Sequence, residues 1–184
     1  MPISALTAWQ ALFERARLRA GQRVLIHGAA GSVGSFAVQL ARWCGAHVIG
    51  TASAQHLDFV HALGADEVID YRATRFEDIV HDMDVVLDTV GGETLQRSWG
   101  VLKSGGTLVT IAAQSEEIKD PVVRDAFFIV VANGPQLAEI ARLIDDGQLR
   151  VFLQEAFPLA QAQQAYARAQ GGGNRGKVVL RVVN

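Results

Sequence analysis

One cysteine, Cys44, is the only thiol in this chain of 184 residues. That excludes an internal disulfide and any zinc site built on several thiolates. Cys44 lies beside Trp43 in a stretch of helical spacing, where a small core residue is the plain reading. Neither sign of charge dominates: 17 Lys and Arg face 19 Asp and Glu, spread along the chain for a net −2. No basic patch for nucleic acid and no basic face for a membrane surface follows from such a balance. No apolar run is long enough to span a bilayer, and no charged-then-apolar leader opens the sequence. The expectation is a cytoplasmic protein with neither membrane nor nucleic acid as partner. Familiar catalytic sets are missing too. No Ser-His-Asp, Cys-His or paired-carboxylate arrangement stands out, and no metal-ligand spacing. No catalytic residue and no metal ligand is therefore assigned.

What is present is a strand, a glycine turn and a helix in immediate succession. Val24-Leu25-Ile26-His27 is an apolar run, Gly28-Ala29-Ala30-Gly31-Ser32-Val33-Gly34 a small-residue turn, and Ser35 to Arg42 carries apolar residues at helical spacing. Small residues let a backbone approach a pyrophosphate, and the helix start supplies free N–H groups and partial positive charge. The fit to G-x-G-x-x-G is imperfect, because Ala29 stands at the first glycine's place before Gly31 and Gly34. A tight strand-to-helix turn needs small residues even when it binds nothing.

Two βα units begin the pattern: a strand at 23–27 with a helix at 33–44, and a strand at 47–51 with a helix at 55–63 closed by Gly64. Strands at 67–70, 84–88 and 107–111 follow, with short helices at 76–82 and 93–102 and a turn at 103–106. A helix at 4–20 precedes them, with Ser4 as its N-cap and Gly21 as its stop. Alternation at this spacing predicts an α/β, doubly wound parallel sheet, the Rossmann fold. Beyond Ala112 the expectations are a polar loop at 114–125, a β-prone run from Ala126 to Val131, a helix at 136–144 started by Asn133-Gly134-Pro135, and a strand at 149–153. A helix at 160–169, a glycine run and a strand at 177–183 end the chain. The apolar run 126–131 is core or a pairing edge between two copies.

In NAD-binding folds an acid usually closes the second strand and accepts from the ribose 2′-hydroxyl. Here that window reads Ile49-Gly50-Thr51-Ala52-Ser53. Its lack of a carboxylate favours NADP(H), with Ser53 as a phosphate donor and His56, Tyr71, Arg72 or Arg175 within reach on neighbouring loops. Thr89-Val90-Gly91-Gly92 and Ala112-Ala113-Gln114 follow the fourth and fifth strands, at the edge where open parallel sheets bind ligands. Asp88 reads as a helix cap before a ribose contact, and His27 as a satisfied buried histidine before a catalyst.

With these residues together the chain resembles the medium-chain dehydrogenase/reductase superfamily, and within it the zinc-independent NADPH:quinone oxidoreductase branch. Ala5-Leu6-Thr7-Ala8-Trp9-Gln10-Ala11-Leu12, the turn with Gln39-Leu40-Ala41, Leu63-Gly64-Ala65-Asp66-Glu67-Val68-Ile69-Asp70-Tyr71, the stretches 85–92 and 102–106, and Arg175-Gly176-Lys177-Val178-Val179-Leu180 carry the likeness. That branch commonly begins its glycine turn with alanine, as Ala29 does here. The resemblance implies an oxidoreductase passing hydride from NADPH to a quinone or an activated alkene or carbonyl. It places Ala30, Gly31, Ser32, Val33 and Gly34 at the pyrophosphate, and Ser53, Tyr71 and His56 (often lysine in relatives) at the 2′-phosphate. Thr89 and Val90 would lie by the ribose and adenine. Thr7, Ala112, Ala113, Phe128, Ile129 and Val130 would lie around the nicotinamide, and Arg175 would close the site. Zinc-dependent relatives carry a cysteine four residues before the Thr7 position; this chain has Ile3.

The resemblance also implies that a β-rich catalytic domain, common at the front of relatives, is missing. Expected units are a leading helix at 1–21, a dinucleotide-binding domain at 22–150 and a segment at 151–184 that would complete the catalytic domain. A homodimer paired along 126–131 is expected. Two other readings fit the same residues: a non-catalytic dinucleotide-binding or self-associating module, and a relative of zinc-dependent alcohol dehydrogenases.

Overall fold

The computed structural model describes residues 2–112, 119–171, 173 and 175–182. Five parallel strands form its main sheet: β1 (Arg23–Ile26), β2 (His47–Ala52), β3 (Glu67–Asp70), β4 (Met83–Asp88) and β5 (Leu102–Thr110), in the order β3-β2-β1-β4-β5. Leu25 of β1 is level with Ile49 on one side and Val86 on the other. Successive residues of a strand face opposite sides of the sheet. Val24, Ile26, Val48, Val85, Leu87 and Val109 therefore belong to one core, and Leu25, Ile49, Ile69, Val86 and Leu108 to a second. Near-continuous apolar strands are what a sheet covered on both faces requires.

Helices cover both faces. The first core takes in buried residues of α1 (Pro2–Trp9), α2 (Gly34–Trp43), α3 (Leu57–Ala62) and, after it in the chain, the helix over Gly134–Asp145. The second takes in Leu95 of α4 (Gly92–Ser98) and Val123 and Ala126 of α5 (Pro121–Ala126). The helix over Gly134–Asp145 is thus α6; Asn133 caps it by accepting from the Gln136 N–H at 3.0 Å, with Pro135 in its first turn. This is the doubly wound α/β Rossmann arrangement that the alternation of the sequence implied. A smaller parallel pair, β6 (Leu153–Pro158) and β7 (Lys177–Arg181), is joined through α7 (Ala162–Gln170).

Several boundaries differ from expectation. The first helix is not capped by Ser4, which is buried inside it and accepts from Lys177 Nζ at 2.9 Å. After Trp9 it widens into a π-type turn over Gln10–Arg15, and Arg17 at φ +52° ends it well before residue 20. The helices expected at 76–82 and 93–102 shorten to one 3-10 turn, Phe76–Asp78, and to α4 with the 3-10 turn Trp99–Val101. The turn at 103–106 is absorbed into β5 as extra residues: Met83 faces Leu102, yet Val85 faces Thr107. The expected loop at 114–125 holds α5, started by Asp120 accepting from the Val122 N–H at 2.9 Å; its residues 114–118 lie outside the described set.

The largest corrections concern two expected strands. In the run 126–131 only Phe127 makes a bridge, to Thr110 of β5. Val131 is held instead by the Gln10 side chain, which accepts from its N–H at 3.0 Å and donates to its carbonyl at 2.9 Å. The strand expected at 149–153 begins only at Leu153. Arg150 is held the same way, its N–H donating to Gln39 Oε1 at 2.8 Å and its carbonyl accepting from Gln39 Nε2 at 3.1 Å. A carboxamide carries an NH2 donor and a carbonyl acceptor side by side, so it replaces a strand partner for one residue. β-prone composition alone does not reveal that a helix supplies the partner.

Replacing Gln10 or Gln39 by leucine leaves a backbone N–H and carbonyl without these partners. Each change is expected to lower unfolding stability by about 1–3 kcal/mol in urea titration. An unchanged midpoint would show that water replaces the carboxamide at no cost.

Candidate functional site

The order β3-β2-β1-β4-β5 places a crevice beyond the carboxyl ends of β1 and β4, where the winding reverses. The turn after β1 forms its rim. Gly28, at φ +68°, has no room for a side chain, since a Cβ would stand 2.4 Å from Thr89 Oγ1. A Cβ on Gly34 would stand 2.2 Å from the Gly28 carbonyl oxygen, so the start of α2 packs directly on the turn. Ala29 donates its N–H to the Thr51 carbonyl at 3.0 Å, tying the turn to β2. The first bond entering α2 runs from the Ser35 N–H to the Gly31 carbonyl at 2.9 Å. The Gly31 N–H is taken by the Gly28 carbonyl at 2.9 Å, and the amides of Ser32, Val33 and Gly34 have no carbonyl a turn behind them, so they form a ready anion cradle.

A cleft of about 560 Å³ opens beyond this turn. Ala30, Gly31 and Ser32 line one wall, Ser53 and His56 follow β2, Tyr71 follows β3, and Thr89 and Val90 follow β4. Eight of the residues expected around a dinucleotide thus meet in one cavity. Val33 and Gly34 sit behind it at the start of α2. Thr7, Ala112, Phe128, Ile129, Val130 and Arg175 do not line it, and Ala113 lies outside the described residues. Thr7 turns its hydroxyl back to the Ile3 carbonyl at 2.7 Å, while Phe128 and Val130 pack against the first core. The Arg175 guanidinium lies 4.9 Å from the centre of the Phe59 ring.

The cleft also takes in residues not singled out from the sequence, notably Phe76, Thr94, Arg97 and Gly173. Thr94 and Arg97 share a face of α4 at i, i+3 spacing directly after the Thr89–Gly92 turn, a signal visible in the sequence. Phe76 and Gly173 give no such signal, because long connections bring them in. Among the described residues no Asp or Glu lines the cleft.

Two buried polar groups fix the strand ends. His27 is 1% exposed, with Nδ1 3.1 Å from Thr51 Oγ1 and Nε2 3.0 Å from Ser98 Oγ. The single Ser98 hydroxyl proton goes to the Thr94 carbonyl at 2.6 Å. His27 therefore donates from Nε2, and its Nδ1 accepts from the Thr51 hydroxyl. This satisfied histidine is a brace between β1, β2 and α4. Burial first, and then the positive charge of Arg97, lower its pKa from 6.5 to about 3, with Glu77 opposing. Asp88 is fully buried and acts as a cap, accepting from the N–H groups of Val90 and Gly91 and from the Thr110 hydroxyl at 2.7 Å.

Gly173 and Gly176, beyond α7, meet the turn after β1 and His56. The Gly176 N–H donates to the Ala30 carbonyl at 3.0 Å, and the Ser32 hydroxyl donates to the Gly176 carbonyl at 2.8 Å. His56 Nε2 lies 3.1 Å from the Gly173 carbonyl. Away from the cleft, Cys44 rests its Sγ on the Leu18 carbonyl at 3.7 Å, and burial pushes its thiol pKa up, as suits a packing residue. Among the described residues no group of three His, Cys, Asp or Glu could hold a metal ion.

Comparison with known proteins agrees with this geometry. The model of the family described as zinc-binding dehydrogenase matches residues 63–180. A probable zinc-binding oxidoreductase, mitochondrial, of Arthroderma benhamiae is 35% identical over 204 residues, covering all of this chain and 61% of that protein. The mouse (Mus musculus) NAD(P)H oxidoreductase RTN4IP1, mitochondrial, is 35% identical over 218 residues, covering all of this chain and 54% of that protein. The solved quinone oxidoreductase from Coxiella burnetii superposes with a TM-score of 0.91 at 33% identity, covering all of this chain and 59% of that one. The chain therefore spans between 54% and 61% of the length of these relatives. It belongs to the zinc-binding dehydrogenase family, within the medium-chain dehydrogenase/reductase superfamily.

The brace at His27 has a measurable consequence. An unfolded chain protonates this side chain near pH 6.5, whereas the folded chain does so only at about pH 3. Its contribution to stability is full above pH 6.5 and is lost as pH falls through that window, at up to ~1.4 kcal/mol per pH unit. Imidazole NMR at pH 5 is expected to find His27 neutral with its proton on Nε2. Titration near 6.5 would contradict the buried assignment.

Proposed function

We propose that this chain is the NADP(H)-binding part of an oxidoreductase that passes hydride from NADPH to a quinone or an activated alkene or carbonyl. The observation that carries the proposal is the turn at the sheet's switch point, too tight for side chains at Gly28 and Gly34 and opening onto a cleft with no acidic lining among the described residues. Support comes from relatives named as NAD(P)H and quinone oxidoreductases. The proposed unit boundaries are 22–150 for nucleotide binding, with 1–21 leading in and 151–184 belonging to a catalytic unit.

In this reading the backbone from Ala30 to Gly34 faces the pyrophosphate. The Ser32 hydroxyl turns from the Gly176 carbonyl to a phosphate oxygen, so binding competes with that hydrogen bond. Ser53, His56 and Tyr71 receive the 2′-phosphate, and among the described residues no carboxylate lines the cleft there to repel it. Thr89 and Val90 meet the ribose and adenine, and Arg175 closes over α3. Thr7, Ala112, Ala113, Phe128 and Val130 belong to the nicotinamide end, which the described cleft does not reach. Bound there, the reduced nicotinamide supplies the hydride; the role of this chain is to orient it and keep water from it. Zinc-independent chemistry is part of the proposal, supported by Ile3 at the position of a family cysteine and by the packing role of Cys44.

No described helix is long and apolar enough to cross a membrane. Two of the relatives are named as mitochondrial, so family membership does not carry the cytoplasmic expectation with it. Self-association through the segment 126–131 stays in the proposal without a full strand there. Ile129 and Val131 are 75% and 69% exposed, an apolar pair on the surface just beyond the Phe127 bridge to β5. Sedimentation is expected to give two chains per particle, and one after Ile129→Lys with Val131→Glu; a monomeric parent removes this part.

Thermal denaturation with each cofactor tests the main proposal. NADPH is expected to raise the midpoint more than NADH does. Ser53→Asp should weaken NADPH roughly tenfold or more while sparing NADH, through repulsion of the 2′-phosphate. Equal and negligible shifts with both cofactors would overturn the assignment.

A further inference from the structure

Among the described residues Arg97 is the only lysine or arginine lining the cleft, and its guanidinium is fixed rather than free. Nη1 donates to both Glu77 oxygens at 3.0 and 3.2 Å, and Nε donates to the Glu93 carbonyl at 3.3 Å. Cζ lies 5.1 Å from the centre of the Phe76 ring. Phe76 is itself buried and meets His27 edge-on at 4.5 Å, so this ring cannot follow a moving side chain. Glu77 is also held by Arg75, whose guanidinium meets its Oε1 at 2.9 Å. Burial would raise the Glu77 carboxyl, but its own backbone N–H and the two arginines hold it below the usual carboxylate range. The anion that anchors Arg97 thus persists at neutral pH.

An arginine tied in this way is poorly placed to swing toward a phosphate, and Glu77 offsets much of its charge. One face covers Phe76, and two of its three nitrogens are engaged. The surface left for the cleft is the other face of a flat, delocalised cation. Such a face stacks well on planar π systems. Neighbouring Val90, which is 54% exposed, and Thr94 offer a flat ring an apolar flank and a small hydroxyl. The groups assigned to the 2′-phosphate come from the ends of β2 and β3, on other elements than α4.

We propose that Arg97, backed by Phe76 and held by Glu77, is the platform on which the adenine of the dinucleotide stacks. It sets affinity for the adenosine half without distinguishing NADPH from NADH. The inference rests on the dinucleotide reading above and adds the residue that recognises the base.

Calorimetric titration of the full chain with 5′-AMP, 2′,5′-ADP and reduced nicotinamide mononucleotide tests it. Arg97→Leu is expected to weaken 5′-AMP and 2′,5′-ADP by the same factor, about five- to thirtyfold, and to leave the mononucleotide unchanged. Arg97→Lys keeps the charge and loses the plane, so it should recover only a minor part of the binding. It also serves if the leucine variant folds poorly, judged by its melting point without ligand. Loss confined to 2′,5′-ADP, full recovery in Arg97→Lys, or unchanged binding in both variants would overturn the platform while leaving the dinucleotide reading intact. A parent chain that binds neither adenosine ligand nor NADPH would overturn both.

Discussion

A contact that no side chain could enter governs this structure: the approach of Gly34 to the Gly28 carbonyl, where a Cβ would sit 2.2 Å from the oxygen. That approach sets the first turn of α2 against the end of β1. It also brings the helix start to the sheet's switch point. Gly50 extends the constraint to β2, where a Cβ would lie 2.8 Å from Val60 and 3.0 Å from Ala29. Alanine at the first position of the motif is tolerated because Ala29 faces the core, fully buried, and its N–H is bonded to Thr51. At Gly34 backbone meets backbone, while at Gly28 and Gly50 the space a Cβ would need is filled by the side chains of Thr89, Val60 and Ala29.

Polar groups buried behind the turn hold that approach in place. His27 links Thr51 of β2 to Ser98 of α4, and Asp88 links the turn after β4 to Thr110 of β5. Every member has a partner, which is the condition under which a buried network rigidifies rather than destabilises. The rim of the cleft is therefore set by four strand ends acting together. A rigid rim suits a ligand bound largely through backbone groups, since little ordering is left to be done on binding.

The sheet, its order of elements and most of the cleft were legible in the sequence because they depend on local signals. Apolar runs in β1 and β4, helical spacing in α2 and the acid-free end of β2 each act within a few residues. The failures share one physical cause. The β-prone run ending at Val131 and the segment through Arg150 pair with Gln10 and Gln39, glutamines on helices more than a hundred residues earlier. Nothing near either segment announces such a partner. Arg97 does carry a local signal, its i, i+3 spacing from Thr94 after the Thr89–Gly92 turn, but the Glu77 and Phe76 contacts that fix its guanidinium come from about twenty residues earlier. Gly173 and Gly176 likewise acquire their roles only through contacts with His56 and with Ala30 and Ser32.

Residue-resolved NMR of the backbone amides during titration with NADPH tests the central claim most directly. The account predicts saturable shifts concentrated at Ala30 to Val33, Ser53, Thr89 and Val90, together with Gly176 as its bonds to Ala30 and Ser32 are disturbed. Shifts clustered elsewhere, or none at saturating NADPH, would contradict a dinucleotide site at the turn after β1.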